Sequence, residues 1–303
     1  MPIPPGLQPI LARVPQFAAA KALEVSELSG GITNRNYKIT AAGEAYVLRM
    51  GGSETRHLGI DRGVEYGCTL AASRAGVAPE PVAFLEPEGY LVTRFLAGSG
   101  IAADRIGTQA NIRRVVEAMK RYHTLDQIPG AFSPFRVAEA YAATALEFNV
   151  KLPDRLGWYL ERADEIEQAL YPRPFIPRPC HNDLLNGNFI DEGARLRILD
   201  WEYAGMGDLF FDLGNFAAQH EFTADQDETL LRAYFGRPAA ADRAHFKLMK
   251  IMSDLREAMW GVVQMGVSKL DFDYAGYAAR YFERFEAGVR RSEYAQWLVE
   301  AGT

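Results

Sequence analysis

The sequence predicts an α+β protein of two lobes, a small one built on an antiparallel sheet and a larger one made mainly of helices. Three observations predict it. Between Leu23 and Leu96, short alternating apolar runs surround one amphipathic stretch, whereas beyond residue 97 the apolar period is helical almost throughout. The chain has 303 residues, enough for two lobes and a sizeable core. Gly98-Ser99-Gly100 interrupts the pattern between the halves, which divides the chain into residues 1–97 and 98–303.

Residues 1–20 are rich in Pro and then in Ala and read as an arm with a short helix. Leu28 to Ile39 reads as a hairpin whose turn carries Gly30, Gly31, Thr33 and Asn34. Glycines there let backbone amides approach phosphates, and a plain turn explains them equally well. Ala45 to Met50 is the next strand and carries Arg49. Asp61 to Arg74 is helical and carries Glu65, with Gly76, Pro79 and Pro81 ending it. Kinases use a strand-borne cation to grip phosphates and a helix glutamate to hold that cation. Arg49 and Glu65 are candidates for that pair; a surface arginine and a solvated helix face are the plainer alternative. Two strands follow, Val82–Leu85 and Tyr90–Leu96, so residues 23–96 read β, β, α, β, β.

In the second half, Ile112, Val115, Val116, Met119 and Tyr122 hold helical spacing up to His123, which reads as a capping or core histidine. Helical patterns recur at 136–149 and 154–170. Pro172, Pro174, Pro177 and Pro179 make an extended lead-in to Cys180-His181-Asn182-Asp183. A small hairpin from Phe189 to Leu199 carries Asn188 at its start and Asp200 at its end, so two oxygen ligands converge on one site. A Gly-rich loop, Tyr203 to Asp208, leads into Phe211–Phe216. The last third reads as helices at 224–235, 241–268 and 273–299.

The chemistry concentrates in His181-x-Asp183-x-x-x-x-Asn188 and in Asp200, twelve residues on, at the end of an apolar run. Phosphoryl transfer to an alcohol needs a carboxylate to accept the hydroxyl proton and hard oxygen ligands to hold Mg²⁺ against the triphosphate. Asp183 is the candidate base, with Asn188 and Asp200 as metal ligands. A polar loop that caps and turns the backbone accounts for one or two of these residues, but poorly for all three.

Composition narrows the partners. A formal net charge of −6 argues against nucleic acid, which requires a basic face, and is compatible with a cationic substrate. The two cysteines, Cys68 and Cys180, form no framework and no C-x-x-C metal pattern. Pro2, Pro4, Pro5, Pro9 and Pro15 leave no signal-peptide core, and no apolar stretch reaches eighteen residues. The expectation is a cytoplasmic protein with no membrane contact; a homodimer is compatible with all of this.

The chain resembles the choline/ethanolamine kinase family, within the wider aminoglycoside-phosphotransferase-like kinases, from about Leu28 to about Glu286. The resemblance rests on Gly30-Gly31-Ile32-Thr33-Asn34, Tyr46-Val47-Leu48-Arg49, His181-Asn182-Asp183 with Asn188, Leu199-Asp200-Trp201-Glu202-Tyr203, Phe211-Asp212-Leu213-Gly214-Asn215, Trp260-Gly261-Val262-Val263-Gln264 and Asp271-Phe272-Asp273-Tyr274. It implies a bilobal protein-kinase-like fold and ATP- and Mg²⁺-dependent phosphorylation of a small cationic amino alcohol. It implies Asp183 as base, Asn188 and Asp200 on Mg²⁺ with Glu202 assisting, and Gly31, Thr33, Asn34, Arg49 and Glu65 at the nucleotide. A quaternary ammonium offers no hydrogen-bond donor, so aromatic faces and a carboxylate must recognise it. Tyr203, Trp260 and Tyr277 match the family's aromatic cage, although Trp260 and Tyr277 also lie on apolar helix stripes that a core would explain. Where the eukaryotic pattern has a second Trp and a Glu, this chain has Glu257 and Gln219, with Glu221 two residues on. Glu257 or Glu221 is the candidate for the displaced charge. Choline leads as acceptor, ahead of ethanolamine, thiamine, an aminoglycoside or another alcohol. A nucleotide-binding pseudokinase is the alternative from a different class.

Overall fold

A computed structural model describes residues 3–4, 6–28, 34–52 and 55–302. Gly31 and Thr33 of the expected phosphate turn lie outside the described residues. Two single-turn helices, α1 (Gln8–Leu11) and α2 (Pro15–Ala18), precede the sheet. Strands β1 (Leu23–Leu28), β2 (Asn34–Ala41) and β3 (Glu44–Gly51) come next, then a 3₁₀ turn at Thr55–Leu58. Helix α3 (Arg62–Arg74) is followed by β4 (Pro81–Leu85) and β5 (Tyr90–Arg94). Three strands, not two, precede the helix. The first is faint in sequence because Glu24 and Glu27 flank its single buried residue, Val25.

The five strands form one antiparallel sheet in the order β1-β2-β3-β5-β4. The β2–β3 hairpin turns through Ala42 and Gly43, both at positive φ. One face buries Tyr37, Ile39, Tyr46, Leu48 and Val92 against Leu11, Val14 and Phe17 of the amino-terminal helices. Helix α3 begins cleanly: Asp61 takes the backbone N–H groups of Gly63 and Val64 at 2.8 and 3.0 Å. That cap fixes where Arg62 and Glu65 point.

Past the sheet, β6 (Ser99–Gly100) leads to helices α4 (Gln109–His123), α5 (Pro134–Glu147) and α6 (Leu156–Leu170). Strands β7 (Arg178–Cys180), β8 (Phe189–Asp191), β9 (Leu196–Ile198) and β10 (Gly205–Gly207) are short and flank the segments that carry Asp183, Asn188 and Asp200. β7 pairs with β10, and β6, β8 and β9 make a small antiparallel ribbon. Helices α7 (Leu209–Gln219), α8 (Ala224–Phe235), α9 (Ala240–Val267), α10 (Tyr274–Val289) and α11 (Tyr294–Ala301) complete the chain. The fold is α+β, with an antiparallel sheet first and a helical part after it.

One helix expectation needs correction, and one segment without an assignment proves helical. Phe211–Phe216 lies in α7: Asp208 caps that helix by accepting from Phe210 N at 2.9 Å, and Gly214 sits inside it. A Cβ on Gly214 would lie 2.7 Å from the Lys250 backbone nitrogen, so the glycine is there for close approach of α7 to α9. The run 273–299 is not one helix, because α10 stops at Val289 and α11 restarts at Tyr294. Helix α9 is the spine of this half. It is 28 residues long and is buried from Ile251 to Gln264, including the polar side chains Ser253, Asp254, Arg256, Glu257 and Gln264. Polar groups on a helix buried this thoroughly call for partners: Ser253 meets Asn215, Asp254 pairs with Arg284, and Arg256 pairs with Asp183 and Glu257.

Candidate active site

The loop after β7 is held by its backbone. Asp212 on α7 is fully buried and accepts four hydrogen bonds. Asn182 N (2.6 Å) binds one oxygen; His181 N (2.9 Å), Tyr122 Oη (2.6 Å) and His123 Nε2 (3.0 Å) bind the other. Burial pushes the Asp212 carboxyl up, but the bonds from His123 and Tyr122 and the nearby His181 prevail and hold it below the usual range. Asn215 continues the brace. Its oxygen accepts from Leu184 N at 2.7 Å, and its nitrogen donates to Ser253 Oγ on α9 at 3.1 Å. His181 accepts from Asp183 N at Nδ1, so its Nε2 carries the proton donated to the Leu199 carbonyl (2.8 Å). Burial keeps that imidazole neutral by lowering its pKa. Asn182 takes φ +67° and Asp200 φ +62°, left-handed conformations that Asn and Asp tolerate best among residues with a Cβ.

Asp183 is thereby presented to a cavity of about 780 Å³ that lies between sheet and helices. Asn188, Asp200, Glu202, Arg49 and Glu65 line it on one side, and Tyr203, Gln219, Glu257, Trp260 and Tyr277 on the other. Asn188 donates to the Asp183 carbonyl at 2.9 Å, which ties the two ends of the loop together.

On the sheet side, Arg49 forms ion pairs with Glu65 and with Asp200, the latter at 2.6 Å. A second arginine, Arg62, reaches Glu65 at 2.7 Å, Glu202 at 3.0 Å and the Asn34 oxygen at 3.0 Å. Asn34 lies behind the cavity wall and donates to Glu202 at 3.2 Å. Burial pushes Glu202 up, Asp200 adds to that, and Arg49 and Arg62 oppose it. Burial likewise lowers the Arg62 guanidinium, with Glu202 opposing. Two arginines thus face three carboxylates. The oxygens of Asp200, Glu202 and Asn188 are hard donors of the kind Mg²⁺ takes, and they belong to one wall of one cavity, so the residues fit that ion.

On the helical side, Trp260 and Tyr277 pack edge to face, 5.4 Å between centroids. The Tyr277 hydroxyl donates to Glu257 at 2.6 Å, and Glu257 also pairs with Arg256. Arg256 reaches Asp183 Oδ1 at 3.2 Å and lies over the Tyr203 ring at 4.4 Å. The Tyr281 hydroxyl donates to the Gln219 oxygen at 3.0 Å. Burial pushes Asp183 up to about 8; Arg256 opposes, and Glu257, Asp200 and Glu202 reinforce the rise.

Glu221 is elsewhere. It follows the carboxyl end of α7 at φ +50°, is exposed, and pairs with Arg280 on the surface. It stands two residues past Gln219, where α7 has already ended, and the left-handed turn there carries it out of the cavity. Arg62, Arg256, Asp212 and Asn215 were not among the residues singled out. The last two stood in a quoted motif, whereas an isolated arginine in a helical pattern carries no signal of its own.

Comparison with known proteins decides the family. A model described as "Phosphotransferase enzyme family" matches residues 24–245. A solved choline/ethanolamine kinase family protein from Mesorhizobium loti is 30% identical, with each chain covered to 98% and a TM-score of 0.83. The chain belongs to the choline/ethanolamine kinase family of phosphotransferases. Among the relatives of this phosphotransferase, Protein LicA of Haemophilus influenzae is 26% identical over 242 residues, 76% of this chain and 70% of that protein. "Probable choline kinase 1" of Arabidopsis thaliana is 23% identical over 301 residues, 87% of this chain and 86% of that protein. The protein-kinase-like architecture is shared with these neighbours, and no helix of the phosphotransferase, among the described residues, is long and apolar enough to cross a membrane.

Proposed function

We propose that the chain transfers the γ-phosphoryl group of ATP, with Mg²⁺, to the hydroxyl of a small cationic amino alcohol in the cytoplasm, choline before ethanolamine. Residues 1–97 form the nucleotide lobe and 98–303 the catalytic and acceptor lobe. One observation carries this: Asp183 sits in a single cavity with Arg49 and the oxygen donors Asn188, Asp200 and Glu202, and with Trp260, Tyr277 and Glu257.

The hydroxyl binds at Asp183, which takes its proton as the oxygen attacks. Arg49, held by Glu65, faces the phosphates, where a fixed cation offsets developing charge, while Arg62 braces Glu65 and Glu202. Asp200, Asn188 and Glu202 would hold Mg²⁺, which supplies charge neutralisation at the phosphoryl oxygens when bound. The aromatic faces of Trp260 and Tyr277 suit an ammonium group, and a desolvated cation–π contact is worth about 2 kcal/mol. Glu257 adds the charge.

The test is ATP consumption by the purified protein with Mg²⁺, against choline, ethanolamine, thiamine and an aminoglycoside. Preference for choline supports the full reading. Preference for another alcohol keeps the chemistry and moves the specificity to Glu257 and Gln219. ATP binding with no turnover on any alcohol would make the chain a nucleotide-binding pseudokinase and sink the proposal.

A further inference from the structure

Arg256 has no place in the roles described so far, yet it is 2% exposed and touches the candidate base. Its Nη1 serves both Asp183, at 3.2 Å, and Glu257, and its guanidinium plane lies on the Tyr203 ring. Its Nε and Nη2 are buried and make no hydrogen bond. Buried donors without a partner are costly and uncommon, and each one calls for an acceptor that arrives later. The residue lines the same cavity as Arg49 and Asp200.

We infer that Arg256 is a catalytic residue that binds the oxygens of the phosphoryl group in flight, from the side opposite Arg49. This rests on reading the chain as a phosphotransferase that works through Asp183. The geometry follows from bond lengths. In the transfer, the acceptor oxygen forms its bond to the γ-phosphorus while the bond from that phosphorus to the β–γ bridging oxygen breaks. The electron pair leaves with ADP, and the hydroxyl proton goes to Asp183. An oxygen bonded to Asp183 at about 2.7 Å puts the phosphoryl oxygens within a few ångströms of that carboxylate, which is where Arg256 already stands. Two carboxylates and an aromatic face fix the guanidinium beforehand, so it need not reorganise as charge develops. Arginine suits the task because its fork pairs with two phosphoryl oxygens at once.

The experiment compares wild type, R256K, R256M and the charge-balanced double variant R256M/E257Q, the last guarding against misfolding from an unpaired Glu257. Turnover is measured with choline, and calorimetry gives the affinities for choline and for ADP with Mg²⁺ and aluminium fluoride, a mimic of the phosphoryl group in transit. R256M and the double variant are expected to lose roughly 10²–10³ in kcat. Both should lose affinity for the aluminium fluoride complex by a similar factor, and in R256M, which keeps Glu257, choline affinity should change less than about threefold. R256K should recover part of both losses. Unchanged aluminium fluoride affinity alongside a shifted acid limb of the pH profile would overturn the inference and make Arg256 a positioning residue for Asp183. Choline affinity of R256M falling as far as its kcat would overturn it too, in favour of acceptor recognition. An active wild type with equally active variants defeats this inference alone. A wild type inactive on every alcohol defeats the phosphotransferase reading beneath it.

Discussion

Each residue on the cavity wall can be questioned alone. Asp183→Asn removes the proton acceptor and keeps the shape, so kcat should fall roughly 10²–10⁴ while nucleotide affinity, measured by calorimetry, stays within a few fold. A variant with wild-type turnover would remove Asp183 from the base role. Trp260→Leu exchanges an aromatic face for an aliphatic one. The acceptor KM should rise by about 30-fold if a desolvated contact of about 2 kcal/mol is lost, with the KM for ATP little changed. Glu221→Ala should leave the acceptor KM unaltered, because that carboxylate is 61% exposed and pairs with Arg280 outside the cavity. The contrast between Glu221 and Glu257 shows what is legible at this scale. Both are acidic residues near a motif. Only the path of α7 and α9 decides which one lines the cavity, and a path is a tertiary fact. The spacing of Asp183, Asn188 and Asp200 was legible because a short loop and a tight hairpin leave the chain little choice. Arg62 and Arg256 were illegible because each acts across a long stretch of sequence, 140 residues to Glu202 and 73 to Asp183 respectively.

Elements carry the next level of specification. Helix α7 supplies both Asp212 and Asn215, the two side chains that brace the loop carrying Asp183. Its Gly214 lets it lie directly on α9. Gly214→Ala should therefore separate the two helices and destabilise the fold by about 1–3 kcal/mol, read by urea unfolding. It should also lower turnover, since Ser253 would draw away from Asn215. A Gly214→Ala protein as stable and as active as wild type would show that the contact has slack. The sheet tells the opposite story: its strands were legible from alternation except for β1, where glutamates hide the period.

Across the whole molecule the net charge is −6, but the cavity sets its own balance by pairing carboxylates with arginines. The expected pH behaviour follows from Asp183, raised to about 8 by burial, and Asp254, raised to about 7 by burial against Arg284 and Lys250. A base must be ionised to act, so kcat/KM should climb with pH toward a limb near 8. Stability runs the other way. Both carboxyls hold protons in the folded state that the unfolded chain has already released above its ordinary carboxylate pKa. Their contribution is full below that value and is lost as pH rises through about 7 and 8. Unfolding free energies that rise steadily from pH 5 to 8.5 would contradict this. That a sheet comes first and helices after it was legible from the change of apolar period along the chain, whereas the cavity depends on how these elements pack and leaves no trace in local pattern.

Helix α9 also bears on how such a protein changes over time. Glu257 and Trp260, the proposed acceptor residues, stand within one turn of each other on this rod, while Asp183, Asn188 and Asp200 come from a loop and a hairpin elsewhere in the chain. On the proposed reading, a preference for one alcohol or another can be revised by single substitutions at Glu257 or Trp260 without redrawing that loop and hairpin. Arg256 is the constraint on such revision, because it shares the rod and reaches across to Asp183.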